Sequence, residues 1–279
     1  MVAFVDMKLS GIVPVVVVGL ASPFLARADL VNLTSAADAS LVESAPDNNT
    51  GSNSFVAAGA SASTGPRRGL FLFDVAGAIP AGSIINSATL TLTVPEGNIA
   101  NPSTFDLFRV LGDWTEGDKV GSAGSPADTG EVTWNSRHHG VTLWNSPGGD
   151  FIGTASASAF VSGLGTYTWS SAALAADVQW WLDNSATNFG WILISQSEGT
   201  PQTARRFGSR EDPLNAPVLS IDFTIIPEPS ALCLTALGAL SFLGLASIRV
   251  RARTARDPRA CAAPVSQRRA PDGPRRSSR

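Results

Sequence analysis

Oxygen-bearing side chains crowd one short stretch of this chain: Asp38, Glu43, Asp47, Asn48 and Asn49 fall within twelve residues of one another. The oxygens of Asp, Glu and Asn are the ligands Ca²⁺ prefers. The spacing is not that of an EF-hand loop, because Gly51 and Ser52 stand where an oxygen ligand and then a glycine are required. The same residues also suit a polar turn whose carboxylates are solvated. Asp113, Glu116 and Asp118 pose that choice a second time. His138 and His139 are the only histidines. Adjacent strand positions point to opposite faces, and neither a third His nor a His-Glu-x-x-His helix completes a zinc site, so they read as a solvated loop pair. Serines are many, yet no Gly-x-Ser-x-Gly elbow or Ser-His-Asp order accompanies them. Carboxylate pairs such as Glu211-Asp212 are abundant, and glycoside hydrolysis needs only two, well placed; abundance alone selects no enzyme. Arg210-Glu211, beside Arg205 and Arg206, reads as surface ion pairing. The expectation is a protein without catalysis of its own.

Seven tryptophans offer a different chemistry, since a flat indole face receives the C–H edges of a sugar ring while Asn, Asp and Arg meet its hydroxyls. Trp181 and Trp191 sit in apolar patterns that mark them as core. Trp114 and Trp144 lie among Asp, Asn and Gly, and Trp180 leaves a helix on its polar side. These three, Trp114, Trp144 and Trp180, are the candidate glycan platforms; a scatter of core aromatics is the alternative.

The elements that must position them are mostly strands. Ala88, Leu90, Leu92 and Val94 alternate with Thr89, Thr91 and Thr93, giving one buried and one wet face. Leu219, Ile221 and Phe223 alternate in the same way with Ser220, Asp222 and Thr224. Gly69–Phe73 and Trp191–Ile194 are apolar on both faces and read as central strands. Weaker strands are expected near Leu30–Thr34, Ser54–Ala58, Phe105–Val110, Val132–Trp134, Tyr167–Trp169 and Arg205–Phe207. One helix is predicted over Ala172–Leu182, capped by Ser170 or Ser171, with Leu174, Val178, Trp181 and Leu182 on its apolar stripe. Between Gly112 and Gly165 runs a long Gly- and Ser-rich region, of the kind that is functional or disordered.

Both ends read as addressing segments. Residues 1–28 form a secretory signal, apolar from Gly11 to Leu25, with small residues at Ala26 and Ala28; a start at Met7-Lys8 gives a cleaner signal than Met1. Residues 231–248 are uncharged and rise about 27 Å as a helix, close to the ~30 Å of a bilayer's hydrocarbon core. The arginines behind them, Arg249, Arg251, Arg253 and Arg256, hold that flank in the cytoplasm and leave residues 29–226 outside. The order Pro227-Glu228-Pro229, apolar helix, basic cluster resembles the PEP-CTERM sorting signal, which implies cutting near the motif by an exosortase of a Gram-negative bacterium after signal peptidase has acted. Residues 227–256 are that signal, and 257–279 are a basic tail whose prolines among arginines favour disorder.

A formal charge of −3 hides a division: residues 29–226 carry 8 Arg plus Lys against 19 Asp plus Glu, while 249–279 carry 10 Arg against 2 Asp. An outer domain of net −11 argues against nucleic acid. Cys233 and Cys261 lie outside it, so it has neither disulfides nor thiolate chemistry.

Within residues 29–226 several strings resemble the DNRLRE domain, a secreted family related to carbohydrate-binding modules. They are Ala37-Asp38 with Asn48-Asn49-Thr50-Gly51, then Arg68-Gly69-Leu70-Phe71-Leu72-Phe73-Asp74, then Ile79-Pro80-Ala81-Gly82 leading into Ser87 to Leu92. Trp114-Thr115-Glu116-Gly117, Thr133-Trp134-Asn135, Ser209-Arg210-Glu211 and Pro217 to Ile221 complete the order. The resemblance implies an all-β, jelly-roll-like antiparallel β-sandwich with one short helix, and a role in glycan binding or surface structure. It also implies a structural Ca²⁺ tying first strand to last, held by Asp38, Asp47, Asn49 and Asp222. The expected protein is exported to the cell surface or extracellular matrix and binds polysaccharide there. The alternatives are an adhesive matrix protein without a discrete sugar site, and a polysaccharide hydrolase or lyase.

Overall fold

The computed structural model describes residues 27–62, 65–96 and 101–226. The signal segment up to residue 26, the Pro227-Glu228-Pro229 motif, the apolar run 231–248 and the basic tail lie outside the described residues. Among those described, no helix is long and apolar enough to cross a membrane.

The chain is mostly β. In order it forms β1 (Arg27–Thr34), β2 (Ala37–Val42), β3 (Phe55–Ala60), β4 (Pro66–Leu72), β5 (Ile84–Val94) and β6 (Ser103–Arg109). After a long irregular region come β7 (Ala157–Val161), β8 (Gly165–Ser170), the helix α1 (Ala172–Asp183), β9 (Trp191–Ser195), β10 (Arg205–Gly208) and β11 (Val218–Ile225). A single helical turn at Val75–Ala78, capped by Asp74, follows β4.

Two antiparallel sheets carry the fold. The smaller has the order β1-β11-β5-β8; the larger, of seven strands, has the order β7-β6-β9-β4-β3-β10 with β2 also on β4. The larger sheet forks at β4, because β2 takes one edge along its whole length while β3 and β9 share the other. Gly69 marks the fork: a Cβ there would stand 2.7 Å from Val56 Cγ1.

Alternation explains which faces are buried. Ala88, Leu90, Leu92 and Val94 of β5 and Leu219, Ile221 and Phe223 of β11 pack with Phe71, Phe105, Leu107, Trp191, Leu193 and Phe207 of the larger sheet. Trp169 of β8 bonds the two sheets directly, its indole N–H donating to Phe105 O at 2.8 Å. Helix α1 is capped by Ser171 Oγ, which accepts from Leu174 N at 2.9 Å. It buries Leu174, Val178, Trp181 and Leu182 in this same core.

The strands that are apolar on both faces have two faces to bury. Leu70, Ile192 and Ile194 point away from the first core into a second, with Val110, Trp114, Val132, Trp134 and Trp144. The irregular region after β6 is therefore a folded cap on the outer face of the large sheet. Val132–Trp134, expected as a strand, is buried inside that cap without joining a ladder: Val132 N donates to Thr115 O and Thr133 N to Ser136 O.

Candidate functional site

Asp38, on edge strand β2, is brought to Glu116 of the cap and to Glu211, just before β11, the three carboxylates lying within 4.8 Å of one another. Asp38 is 1% exposed, and its Oδ2 accepts from Ser35 Oγ at 2.7 Å and from Arg210 N at 2.9 Å. Its own N–H donates to Glu116 Oε1 at 2.7 Å. The Arg210 guanidinium stands among them, 2.8 Å from Glu116 Oε2 and 2.9 Å from Glu211 Oε1. Burial pushes the Asp38 carboxyl up to about 7, outweighing the hydrogen bonds that would lower it. Burial likewise raises Glu116 against the pull of the Asp38 N–H and Arg210. A carboxyl that titrates near neutrality can hold a proton, and Asp38 does so in a place closed to solvent.

The other residues expected to share a Ca²⁺ with Asp38 have separate engagements. Asp47 is exposed and accepts from Asn135 Nδ2 at 3.0 Å. Asp222 faces outward on the smaller sheet, where Asn86 Nδ2 donates to it at 2.7 Å. Asn49 is fully buried and saturated: its Nδ2 donates to Glu116 O and Val132 O, and its Oδ1 accepts from Gly51 N and Lys119 N. An amide oxygen already receiving two N–H groups has no lone pair left for a cation. Asn49 bolts the cap to the stretch after β2, and the approach is close enough that a Cβ on Gly117 would meet its side chain at 2.5 Å.

A second acidic group, Asp118, Asp128 and Glu131, gathers around Lys119 Nζ, which lies 2.5 Å from each aspartate and 3.6 Å from Glu131. Both acidic groups thus contain a side-chain cation of their own. Ca²⁺ takes six to eight oxygens and would have to displace a bonded guanidinium or ammonium at either place. The four residues Asp38, Asp47, Asn49 and Asp222 do not form one ligand set.

Trp114 and Trp144 are buried, at 8% and 4% exposure, and neither ring is a surface platform. Each indole N–H is spent inside the fold, on Phe189 O at 2.9 Å and Thr133 O at 3.0 Å. The polar residues around them in sequence are those that satisfy the cap's backbone, which is why the region reads as open loop. Trp180 is different: 48% of it is exposed. Its N–H donates to Thr187 Oγ1 at 3.0 Å, and the Arg109 guanidinium lies 5.5 Å from the ring centre. Arg109 is itself held by Asp177, whose other oxygen accepts from the buried Trp191 Nε1 at 2.9 Å. The result is an aromatic ring held in orientation by Thr187, with the Arg109 guanidinium over one of its faces.

His138 spans Gly130 O and Asp113 Oδ2, each at 3.2 Å, and Asp113 also pairs with Arg137. His139 donates its backbone N–H to Glu131 O at 2.8 Å, and its ring Nδ1 is buried without a hydrogen-bond partner. Glu116 and Glu211 lie 78 and 173 residues from Asp38, and no local pattern in the sequence links the three. No protein-family model matches this chain, and no curated protein sequence matches it either.

Proposed function

We propose that this is an exported, non-catalytic surface or matrix protein that binds polysaccharide through a jelly-roll-like β-sandwich and is processed near Pro227-Glu228-Pro229 by an exosortase. The observation that carries the binding reading is Trp180, a half-exposed indole locked by Thr187 and flanked by the anchored cation Arg109. A sugar ring stacking there would meet a surface that needs no reordering, which lowers the cost of association. The non-catalytic reading is supported by Asp38, Glu116 and Glu211, whose oxygens are committed to Arg210 and to backbone N–H groups. The address is supported by the order of motif, apolar run and arginines at residues 227–256.

Glycan-array binding by the wild type that is lost in Trp180→Ala is the expected result. Array binding that survives Trp180→Ala removes this platform. A second reading, an adhesive matrix protein without a discrete sugar site, is favoured by the burial of Trp114 and Trp144, which leaves a single exposed indole rather than a row. It predicts retention in biofilm and self-association with no saturable glycan affinity. Fractionation tests the address for both: intact chain in the cytosol would sink it.

A further inference from the structure

Three of the eight basic side chains in residues 29–226, Arg67, Arg205 and Arg206, line one cleft of about 640 Å³. Arg67 and Arg205 are buried, at 7% and 4% exposure. Carbonyl oxygens hold them: Arg67 Nη1 donates to Ser122 O at 2.9 Å, while Arg205 Nη1 donates to Thr203 O and Ala204 O and its Nη2 to Asn101 O and Val161 O, at 3.0 to 3.4 Å. Arg206 lies 4.3 Å over the Phe55 ring, and its Nη2 reaches Ser122 Oγ at 3.5 Å. Ser122 thus seats two guanidinium groups, one on its carbonyl and one on its hydroxyl. The cleft wall also carries one carboxylate, the exposed Glu96. Burial lowers the affinity of Arg67 and Arg205 for their protons, and for Arg67 the charge of Arg206 lowers it further.

Positive charge gathered in a concave, partly dry place on a domain of net −11 is a focused field. An oxyanion entering the cleft meets Arg206, which is half-buried, while Arg67 and Arg205 add their charge from the buried wall. The guanidinium fork matches the paired oxygens of carboxylate, sulfate and phosphate groups. Three cations within an acidic surface suit a chain with a few spaced charges; nucleic acid requires a longer basic track. We propose that this cleft binds the oxyanion groups of an acidic polysaccharide. The inference rests on the polysaccharide-binding reading and narrows its ligand, at a place separate from Trp180.

The test titrates the purified full-length chain with oligogalacturonate, sulfated dextran and uncharged dextran of equal length. Either charged chain should bind and weaken as NaCl rises, and preference between them distinguishes carboxylate from sulfate. Arg206→Glu should cut that affinity about tenfold and Arg206→Gln somewhat less, both with unchanged circular dichroism. Glu96→Gln should tighten it about threefold, a gain that a merely structural role for this wall would not produce. Charged-chain binding that ignores all three substitutions overturns the cleft assignment. Equal binding of uncharged dextran overturns it too while leaving the polysaccharide reading standing. If none of the three chains binds, the inference fails, and the Trp180→Ala array comparison decides the broader reading separately.

Discussion

The two faces of the seven-stranded sheet are covered by different means. On one side a second sheet and α1 meet it, and the apolar residues arrive on strands at alternate positions. On the other, a cap of largely irregular chain supplies Trp114, Trp134 and Trp144, and ladder hydrogen bonds are scarce. Buried backbone must still be satisfied. In the cap that falls to side chains: Asn49 serves four partners, Asn53 bridges Gly121 on both its N–H and its carbonyl, and Glu131 accepts from Asp118 N and Asp128 N. Regular pairing makes the first core tolerant of any one polar contact, whereas the second concentrates its order in a handful of amides and carboxylates.

That difference can be broken at several points. The largest effect is expected on the regular side. Trp191→Ala empties a fully buried site packed on Trp181 and Phe73 and leaves Asp177 short of a donor. A loss of about 3–5 kcal/mol, read from denaturant midpoints, should unfold both regions together. A variant that kept its stability would show the first core to be no more cooperative than the cap.

The joint between the regions should respond to pH. Asp38 is raised to about 7 from an ordinary 3.8, so the folded state holds this proton where the unfolded chain has released it. The stability it contributes is full below about pH 4, declines as pH rises, and is gone above about pH 7. A shift of that size corresponds to about 4 kcal/mol as an upper figure. Asp38→Asn should flatten the curve, giving a variant whose stability relative to wild type improves from pH 4 to pH 8. Parallel wild-type and Asp38→Asn curves would discard this account of the joint.

On the irregular side, Asn49→Ala orphans Glu116 O, Val132 O and the N–H groups of Gly51 and Lys119. About 2–3 kcal/mol is expected, and hydrogen exchange should show the loss concentrated in residues 112–152 while β5 and β9 stay protected. Uniform loss of protection would erase the distinction between the two regions.

The same distinction governs what the sequence could reveal. β5, β11, the doubly apolar β4 and β9, and α1 are legible because burial there follows periods of 2 and 3.6. β2 is not: Asp38 and Ser40 occupy buried positions at 1% and 3% exposure, and polar letters at core positions break the pattern. They are tolerated because Ser40 Oγ accepts from Ala57 N and Asp38 from Ser35 and Arg210. β7 hides for another reason, since its outward Phe160 is 62% exposed while Ala157 faces the core, inverting the usual contrast. The cap was the least legible. Trp114 and Trp144 stand among residues that signal open loop, yet those residues form the hydrogen bonds that let the indoles be buried. Asp38, Glu116 and Glu211 meet across 78 and 173 residues, through tertiary geometry that no local spacing encodes.

The smallest effect is expected where neither region is involved. Trp180 leaves α1 on the side opposite Leu174, Val178 and Trp181 and belongs to neither core. Trp180→Ala removes one exposed hydrogen bond to Thr187 and the stacking on Arg109, interactions worth about 0.5–1 kcal/mol together at a solvated site. Thermal unfolding should fall by only a few degrees, with the exchange pattern of both cores unchanged. Arg109 should keep its place, because Asp177 holds it independently of the ring. This makes the substitution a clean probe of binding: glycan affinity lost in a protein that melts almost where the wild type does must have been carried by the indole face. A drop as large as that of Asn49→Ala would instead make Trp180 part of the packing, and any accompanying loss of binding would then say nothing about a platform.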